Sequence, residues 1–336
     1  RGAASAATVV SSELAYPWES QEFVSFCNAI EQEPDSGGEG SARLVVRLTN
    51  LLLRASADSD TALERYIAAL PTTEASPSQW PPAARRLLRS SALGAQAEGE
   101  VDDLERKSAE MAAAWPGAAP PSGDFYEAYS RATMLVSTRA FATNTALGAL
   151  LCPVLDFVNH CNKEDMNSGY AFDDGHFSLE AVADIPAGTE VLVCYDADAD
   201  FLELWSRYGF FDATARIHTV EISVPSGAVA PDHVGGVFWI PAAAVPLECP
   251  LLESLVEVAA AEGGDEAEAR RLALSRFAAL IRQHLAGYAE EEGGAPEEDD
   301  PIRGYRHVVS GILRYEQRLL MGTLEKVEAL VAGDAA

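Results

Sequence analysis

The hydrophobic pattern of this chain changes period twice, and the two changes limit its fold to an α+β arrangement. From Ala42 to Leu53 the apolar residues Leu44, Val45, Leu48, Leu51 and Leu52 recur at helical spacing. Further helices are expected from Ser59, a candidate N-cap, to the stop at Pro71, and over Ala83–Leu93, Val101–Trp115 and Phe125–Val136. The spacing then shortens. Cys152–Phe157, Phe177–Val182, Glu190–Tyr195 and Thr219–Val224 are short, apolar or alternating, and set off by Gly, Pro and Asp, which is a strand pattern. Leu202–Tyr208 reads as one short helix among them and Phe238–Ile240 as a last strand. From Leu251 the helical spacing returns, over Leu251–Ala261, Asp265–Glu290 and Tyr305–Val331. Ahead of all this lie a short strand at Thr8–Val10, a strand or helix start at Glu22–Phe26, and a Gly-rich break at Ser36–Ser41.

Charge excludes one class of partner. With 24 basic and 52 acidic residues the net charge is -28, the wrong sign for neutralising phosphates, so non-specific binding of nucleic acid is not expected. The same charge suits a basic protein partner or simple solubility. The acidic run Glu290–Asp300 reads as a solvated loop, and Arg85, Arg86 and Arg89 as a solvated helix face. No apolar run reaches the roughly 18 residues that span a bilayer, so no membrane partner is expected. The cysteines Cys27, Cys152, Cys161, Cys194 and Cys249 are scattered, without zinc spacing, so no metal site is expected and reduced thiols in an intracellular compartment are the default. The chain opens with Arg1-Gly2, so a fragment, a processed product or an incomplete gene model is expected.

By residue chemistry alone the centre is a polar cluster without a self-evident mechanism. Asp156 and His160, four apart beside Asn159, suit either a general base with its orienter or structural hydrogen bonding. Tyr208, at a helix end before Gly209, reads as a core aromatic with a satisfied hydroxyl. There is no nucleophile elbow, dinucleotide fingerprint or phosphate loop.

Five motifs in order carry a resemblance. They are Ser137–Phe141, Asp156-Phe157-Val158-Asn159-His160, the turn Pro186-Ala187-Gly188-Thr189-Glu190-Val191, Tyr195, and Glu203-Leu204 leading to Tyr208-Gly209-Phe210. Over about residues 40–330 the chain resembles the SET-domain protein methyltransferases, in the subgroup of Rubisco large-subunit lysine methyltransferase and actin-histidine methyltransferase. The resemblance implies a β-rich SET core of small sheets with a pseudo-knotted C-terminal part, a helical insertion and a helical C-terminal substrate-binding domain. Mapped here, 1–41 is a partial N-terminal SET segment, 42–135 the insertion (with Trp80 in it), 136–225 the catalytic core and 226–336 the C-terminal domain.

It also implies methyl transfer from S-adenosylmethionine to a lysine of a non-histone protein. The alternatives are a histidine substrate and a catalytically silent module that binds a protein. On the resemblance Tyr208 is catalytic, Asn159 and His160 hold the cofactor, and Arg139, Asp156, Tyr170 and Tyr195 lie toward the substrate or cofactor. For Arg139 an ion pair with Asp156 is an equal reading. A plastid address follows only from analogy with the Rubisco enzyme.

Three departures accompany these motifs. The family's Gly-x-Gly hairpin is absent and is expected ahead of Arg1. Asp198, Asp200 and Phe201 occupy the loop where the family has an Asn. A substrate-side Tyr after Tyr208 is replaced by His218 or missing.

Overall fold

The computed structural model describes residues 10–11, 19–30, 41–54, 62–71, 76–117, 122–142, 148–173, 176–210, 219–224, 226, 236–241, 249–263, 265–289 and 302–333. In chain order the elements are β1 (Val10–Ser11), α1 (Gln21–Ala29), α2 (Ser41–Arg54), α3 (Ala62–Ala69), α4 (Pro82–Arg85), α5 (Ala92–Ala114) and α6 (Ser122–Arg139). There follow β2 (Phe141–Ala142), β3 (Ala149–Leu151), β4 (Asn159–His160), β5 (Ser168–Asp173), β6 (His176–Ala181) and β7 (Leu192–Val193). The chain continues with α7 (Phe201–Tyr208), β8 (Thr219–Val224), β9 (Gly236–Pro241), α8 (Pro250–Ala261), α9 (Glu266–Ala289) and α10 (Arg303–Ala332). Single 3-10 turns lie at Pro77–Gln79, Arg86–Leu88 and Leu155–Phe157. The expected Ser59 cap, residues 36–40 of the Gly-rich break, the acidic run at 290–300 and His218 lie outside the described residues. The chain divides into two compact units, one of residues 1–75 and 101–197 and one of 76–100 and 198–336, with the boundary inside α5.

In the first unit the apolar stripe of α2 does what its spacing requires. Leu44, Leu48 and Leu51 are buried with Leu63, Tyr66 and Ile67 of α3 and Phe125, Tyr129, Ala132 and Leu135 of α6. Each such leucine contributes about 1.5–3 kcal/mol by leaving water. Glu22–Phe26, open between strand and helix in the sequence, is helical in α1, because Ser20 accepts the Phe23 N–H at 3.1 Å and caps it. Beside that cap the buried Arg47 of α2 pairs with the buried Glu19 at 2.5 Å. The sheets are small: β1-β3-β2 is antiparallel, β5 and β6 form a hairpin with Tyr170 opposite Leu179, and β4 runs parallel to β7.

In the second unit β8 alternates as its sequence does, with Val220, Ile222 and Val224 buried, and it pairs antiparallel with β9. Its buried face shares a core with Leu251 and Leu255 of α8, Phe277 and Ile281 of α9, and Ile312 and Leu320 of α10. Trp80 is buried in this same core, its ring 6.2 Å from Trp205 and 5.1 Å from Tyr305. The single helix expected over Ala83–Leu93 is broken. Leu93 N–H turns to Ser91 Oγ at 3.2 Å, starting α5 afresh, and Gly94 is needed because a Cβ there would collide with the Leu88 carbonyl. Arg85 is not merely solvated: it binds Glu98 through Nε at 3.0 Å and the Trp80 carbonyl through Nη1 at 2.7 Å. Among the described residues no helix is long and apolar enough to cross a membrane.

One polar group sits deep in this core. The Glu316 carboxylate, 1% exposed, accepts from Ser91 Oγ at 2.6 Å and from Tyr288 Oη at 2.7 Å. Next to Tyr288, His284 Nε2 lies 3.2 Å from the phenol oxygen, and burial pushes the His284 pKa below its ordinary value. Tyr288→Phe takes one donor from a buried carboxylate and is expected to cost about 1–3 kcal/mol in urea unfolding at pH 7. The His284 shift has a definite sign. As pH falls below about 6.5 the unfolded chain takes up the imidazole proton before the folded one, so stability drops with it. His284→Gln should make stability between pH 7 and 5 fall less steeply than in the unaltered protein.

Candidate active site

The approach to the site is a turn, not the strand that Cys152–Phe157 suggests. The strand β3 ends at Leu151, Pro153 offers no N–H to a ladder, and Val154 has a positive φ of 74°. Asp156 N–H then donates to the Cys152 carbonyl and Phe157 N–H to the Val154 carbonyl, both at 3.2 Å. This turn sends Leu155 and Asp156 inward and leaves Val154 and Phe157 outside.

The inward carboxylate is held by two elements. Tyr66 Oη of α3 donates to Asp156 Oδ2 at 2.8 Å. Arg139, the last residue of α6, donates through Nη1 to the Asp156 carbonyl at 2.9 Å and lies 3.7 Å from Oδ2. Its guanidinium carbon also sits 5.3 Å from the centre of the Phe157 ring. Burial raises the Asp156 pKa, against the opposing pull of Tyr66 and Arg139, and burial beside this carboxylate raises the Tyr66 phenol as well. Asp156 Oδ1 and Arg139 Nε are buried with no hydrogen-bond partner among the described residues. The ion pair read as one option for Arg139 is therefore present.

Two residues on, β4 lies parallel to β7, with Asn159 opposite Leu192 and His160 opposite Val193. His160 Nδ1 accepts the Tyr195 N–H at 3.0 Å, which fixes the ring against the backbone. Tyr195 Oη donates back to the Val158 carbonyl at 2.6 Å, and Tyr170 Oη to the Leu155 carbonyl at 2.8 Å. Burial pushes the Tyr170 phenol well above its usual range. Asn159 is exposed, its Nδ2 donating to Glu190 Oε1 at 2.6 Å. The structure thus gathers Arg139, Tyr170 and Tyr195 around the single stretch from Leu155 to His160, which itself carries Asp156, Asn159 and His160. Sequence reasoning did not single out Tyr66 or Glu190. Tyr66 sits 90 residues from its partner and left no local signal. Glu190 closes the Pro186–Val191 turn and was within reach of the motif.

Tyr208 belongs to the other unit. It is the last residue of α7, a helix framed at both ends. Asp200 Oδ1 accepts the Glu203 N–H at 3.0 Å and Glu203 Oε2 accepts the Asp200 N–H at 3.2 Å, a capping box. Thr219 Oγ1 donates to the other oxygen of Asp200. At the far end Gly209 takes the left-handed conformation, φ 72°, and its N–H donates to the Trp205 carbonyl at 2.9 Å. Asp200, in the loop where the resemblance expects an Asn, is accounted for as this cap. Tyr208 is half-buried against Leu204 and Phe210, with the Arg207 guanidinium carbon 5.4 Å from its ring centre. Among the described residues no three His, Cys, Asp or Glu are placed to hold a metal ion.

This architecture is that of a SET domain. The chain is similar to the crystal structure of the SET domain of LSMT bound to lysine and AdoHcy, with a TM-score of 0.62 over 97% of this chain and 79% of that one at 16% identity. Rubisco LSMT bound to AdoMet is similar over 93% of this chain and 77% of that one, with a TM-score of 0.60 and 16% identity. In sequence, the Mus musculus histone-lysine N-methyltransferase SMYD3 is 34% identical over 76 residues. That stretch is 23% of this chain and spans only 17% of the length of SMYD3. No family model matches the chain.

Tyr66→Phe isolates the carboxylate anchor. It removes the donor to a buried oxygen, so a loss of about 1–3 kcal/mol in unfolding free energy is expected. Arg139→Ala, which strips the cation paired with Asp156 Oδ2 among the described residues, should cost more, about 3–5 kcal/mol. Chemical denaturation of both variants at pH 7 checks the order.

Proposed function

We propose that this protein is a protein-lysine N-methyltransferase that uses S-adenosylmethionine and acts on a non-histone protein. The observation that carries the reading is the stretch Leu155–His160, where one turn and one two-residue parallel ladder fix Asn159, His160 and Tyr195 on a SET fold. The lysine and AdoHcy of one LSMT structure and the AdoMet of the other support the substrate class and the cofactor.

The residues suit such a cofactor. Exposed Asn159 and Glu190, hydrogen-bonded side by side, offer oxygen acceptors to the cationic amine of its methionine end. His160, oriented by the Tyr195 amide, presents the rest of its ring at a set angle for adenine or ribose. S-adenosylmethionine supplies a methyl group on a positively charged sulfur, already activated for displacement.

What remains for the protein is positioning, exclusion of water, and a neutral amine. A lysine nitrogen attacks only when deprotonated, and a desolvating channel beside a cation lowers its pKa. In this reading Tyr170 and Tyr195 line that channel, their hydroxyls tied to the Leu155 and Val158 carbonyls so that the rings hold still. Arg139 and Asp156 act behind them as the anchor of the turn. Tyr208 supplies the hydroxyl that orients the attacking nitrogen, from a helix end held by the Gly209 cap. The net charge of -28 favours a basic stretch around the target lysine. An intracellular compartment, where thiols stay reduced, is part of the same reading.

Calorimetric titration of S-adenosylmethionine tests it, with saturable one-site binding expected. Absence of binding, both in this chain and in one extended upstream of Arg1, would sink the enzyme reading. Tyr208→Phe should keep cofactor affinity and lose about 100-fold or more in turnover on a methyl-accepting lysate. Mass spectrometry of the labelled product decides lysine against histidine.

A further inference from the structure

The ladder between β4 and β7 ends at His160 and Val193, and its last backbone bond ties Cys161 to the residue before Cys194. Cys161 N–H donates to the Val193 carbonyl at 2.9 Å, and Tyr195 N–H to His160 Nδ1 at 3.0 Å. The next positions of that register are Cys161 and Cys194; the first backbone bond of such a pair is made, while Tyr195 N–H turns to His160 Nδ1 instead of the Cys161 carbonyl. Opposite residues of a parallel pair present their side chains to the same face, on strands about 4.7–4.9 Å apart. That spacing falls inside the Cα window of about 4.4–6.8 Å in which a disulfide can close. Both residues carry thiols and are half-buried, whereas Cys27, Cys152 and Cys249 are buried. The charges of Lys163 and Glu164, in the turn that follows Cys161, reach the Cys194 thiol.

We propose that Cys161 and Cys194 form a redox-modification site, a thiol pair that closes to an intramolecular disulfide by exchange with a small-molecule disulfide and thereby distorts the neighbouring clamp. The thiolate of Cys161 attacks the donor disulfide, whose S–S bond breaks to release one thiol. The thiolate of Cys194 then attacks the mixed disulfide at Cys161 and releases the second. In balance, two protein thiols and one disulfide give one protein disulfide and two small thiols. The protein loses two electrons and the donor gains them. Burial raises the Cys194 pKa and so lowers its thiolate fraction, and the second, intramolecular attack therefore quickens as pH rises.

Closure brings the two Cβ atoms to about 3.8 Å, nearer than strand spacing alone sets them, and so draws the strand ends together. The His160–Tyr195 hydrogen bond lies one residue from each sulfur. The formation of the bond is independent of methyl transfer; its effect on cofactor rests on the function proposed above.

The test is incubation of the whole chain with oxidised glutathione, followed by non-reducing tryptic mapping. Peptides 140–163 and 164–207 should appear joined with the loss of two hydrogens, the fragment spectra placing the link at Cys161. Cys161→Ser and Cys194→Ser should each abolish it. The oxidised protein should bind S-adenosylmethionine about tenfold more weakly, with recovery in dithiothreitol, and exchange the Tyr195 amide hydrogen faster. Independent glutathione adducts without a cross-link would overturn the proposal. So would a cross-link that leaves Tyr195 exchange unchanged. If the reduced protein binds no cofactor, the cross-link and the Tyr195 exchange still decide the matter.

Discussion

The site depends on a parallel ladder only two residues long. Each of its backbone bonds is worth about 1 kcal/mol net, too little to hold two strands by itself. The neighbouring β5 start supplies the remainder through side chains. Asn167 Oδ1 accepts the Leu192 N–H at 2.9 Å, Asn167 Nδ2 donates to the Glu190 carbonyl at 2.8 Å, and Ser168 Oγ donates to the Leu192 carbonyl at 2.9 Å. These bonds satisfy backbone groups that so short a strand would leave open. Because Asn159 and His160 are the whole of β4, whatever fixes β7 fixes them.

Three buried carboxylates show three ways of making such groups tolerable. Glu19 has a close guanidinium partner in Arg47, both side chains 1% exposed. Glu316 has hydroxyl donors from Ser91 and Tyr288. Asp156 has a phenol and a more distant guanidinium, and one of its oxygens is left over. At Asp156 burial outweighs the partners and raises the carboxyl pKa. Asp156 is also the one next to Asn159 and His160. A buried carboxylate with one oxygen left over therefore lies where the chain is read as binding its ligand, in keeping with the rule that strain collects at functional sites.

Length decided what the sequence could show. The helices α2, α8, α9 and α10 were legible within a few residues, since each repeats its apolar stripe over three turns or more. The strands β6 and β8 were legible because six residues suffice for alternation. Among the strands of two or three residues, β2, β3 and β4 have no period to read, whereas β7 falls inside the run Glu190–Tyr195 that reads as a strand, and β5 is hidden by Ser168 and Gly169 at its start. The run Cys152–Phe157 reads as a strand because a buried turn and a buried strand share one composition. Pro153 was the residue that argued otherwise. Asn159, His160 and Tyr208 stood out through the resemblance and not through their chemistry, while Tyr66 joined the site only once the chain was folded.

Two residues of this molecule, Val154 and Gly209, share nearly the same positive φ, 74° and 72°, and contrast in its cost. Gly209 ends α7 behind Tyr208 without strain, since it has no Cβ to clash. Val154 is β-branched, and holding it there costs about 1–3 kcal/mol. Its side chain, 73% exposed, returns little of that by packing. The offset has to come from its neighbours: Leu155 joins the core around Leu150 and Cys152, and Asp156 takes the hydrogen bonds of Tyr66 and Arg139. The conformation of the turn that delivers Asn159 and His160 is thus imposed by two inward side chains against the preference of the residue before them. Loosening either anchor lets Val154 relax, and the relaxation is passed directly to β4.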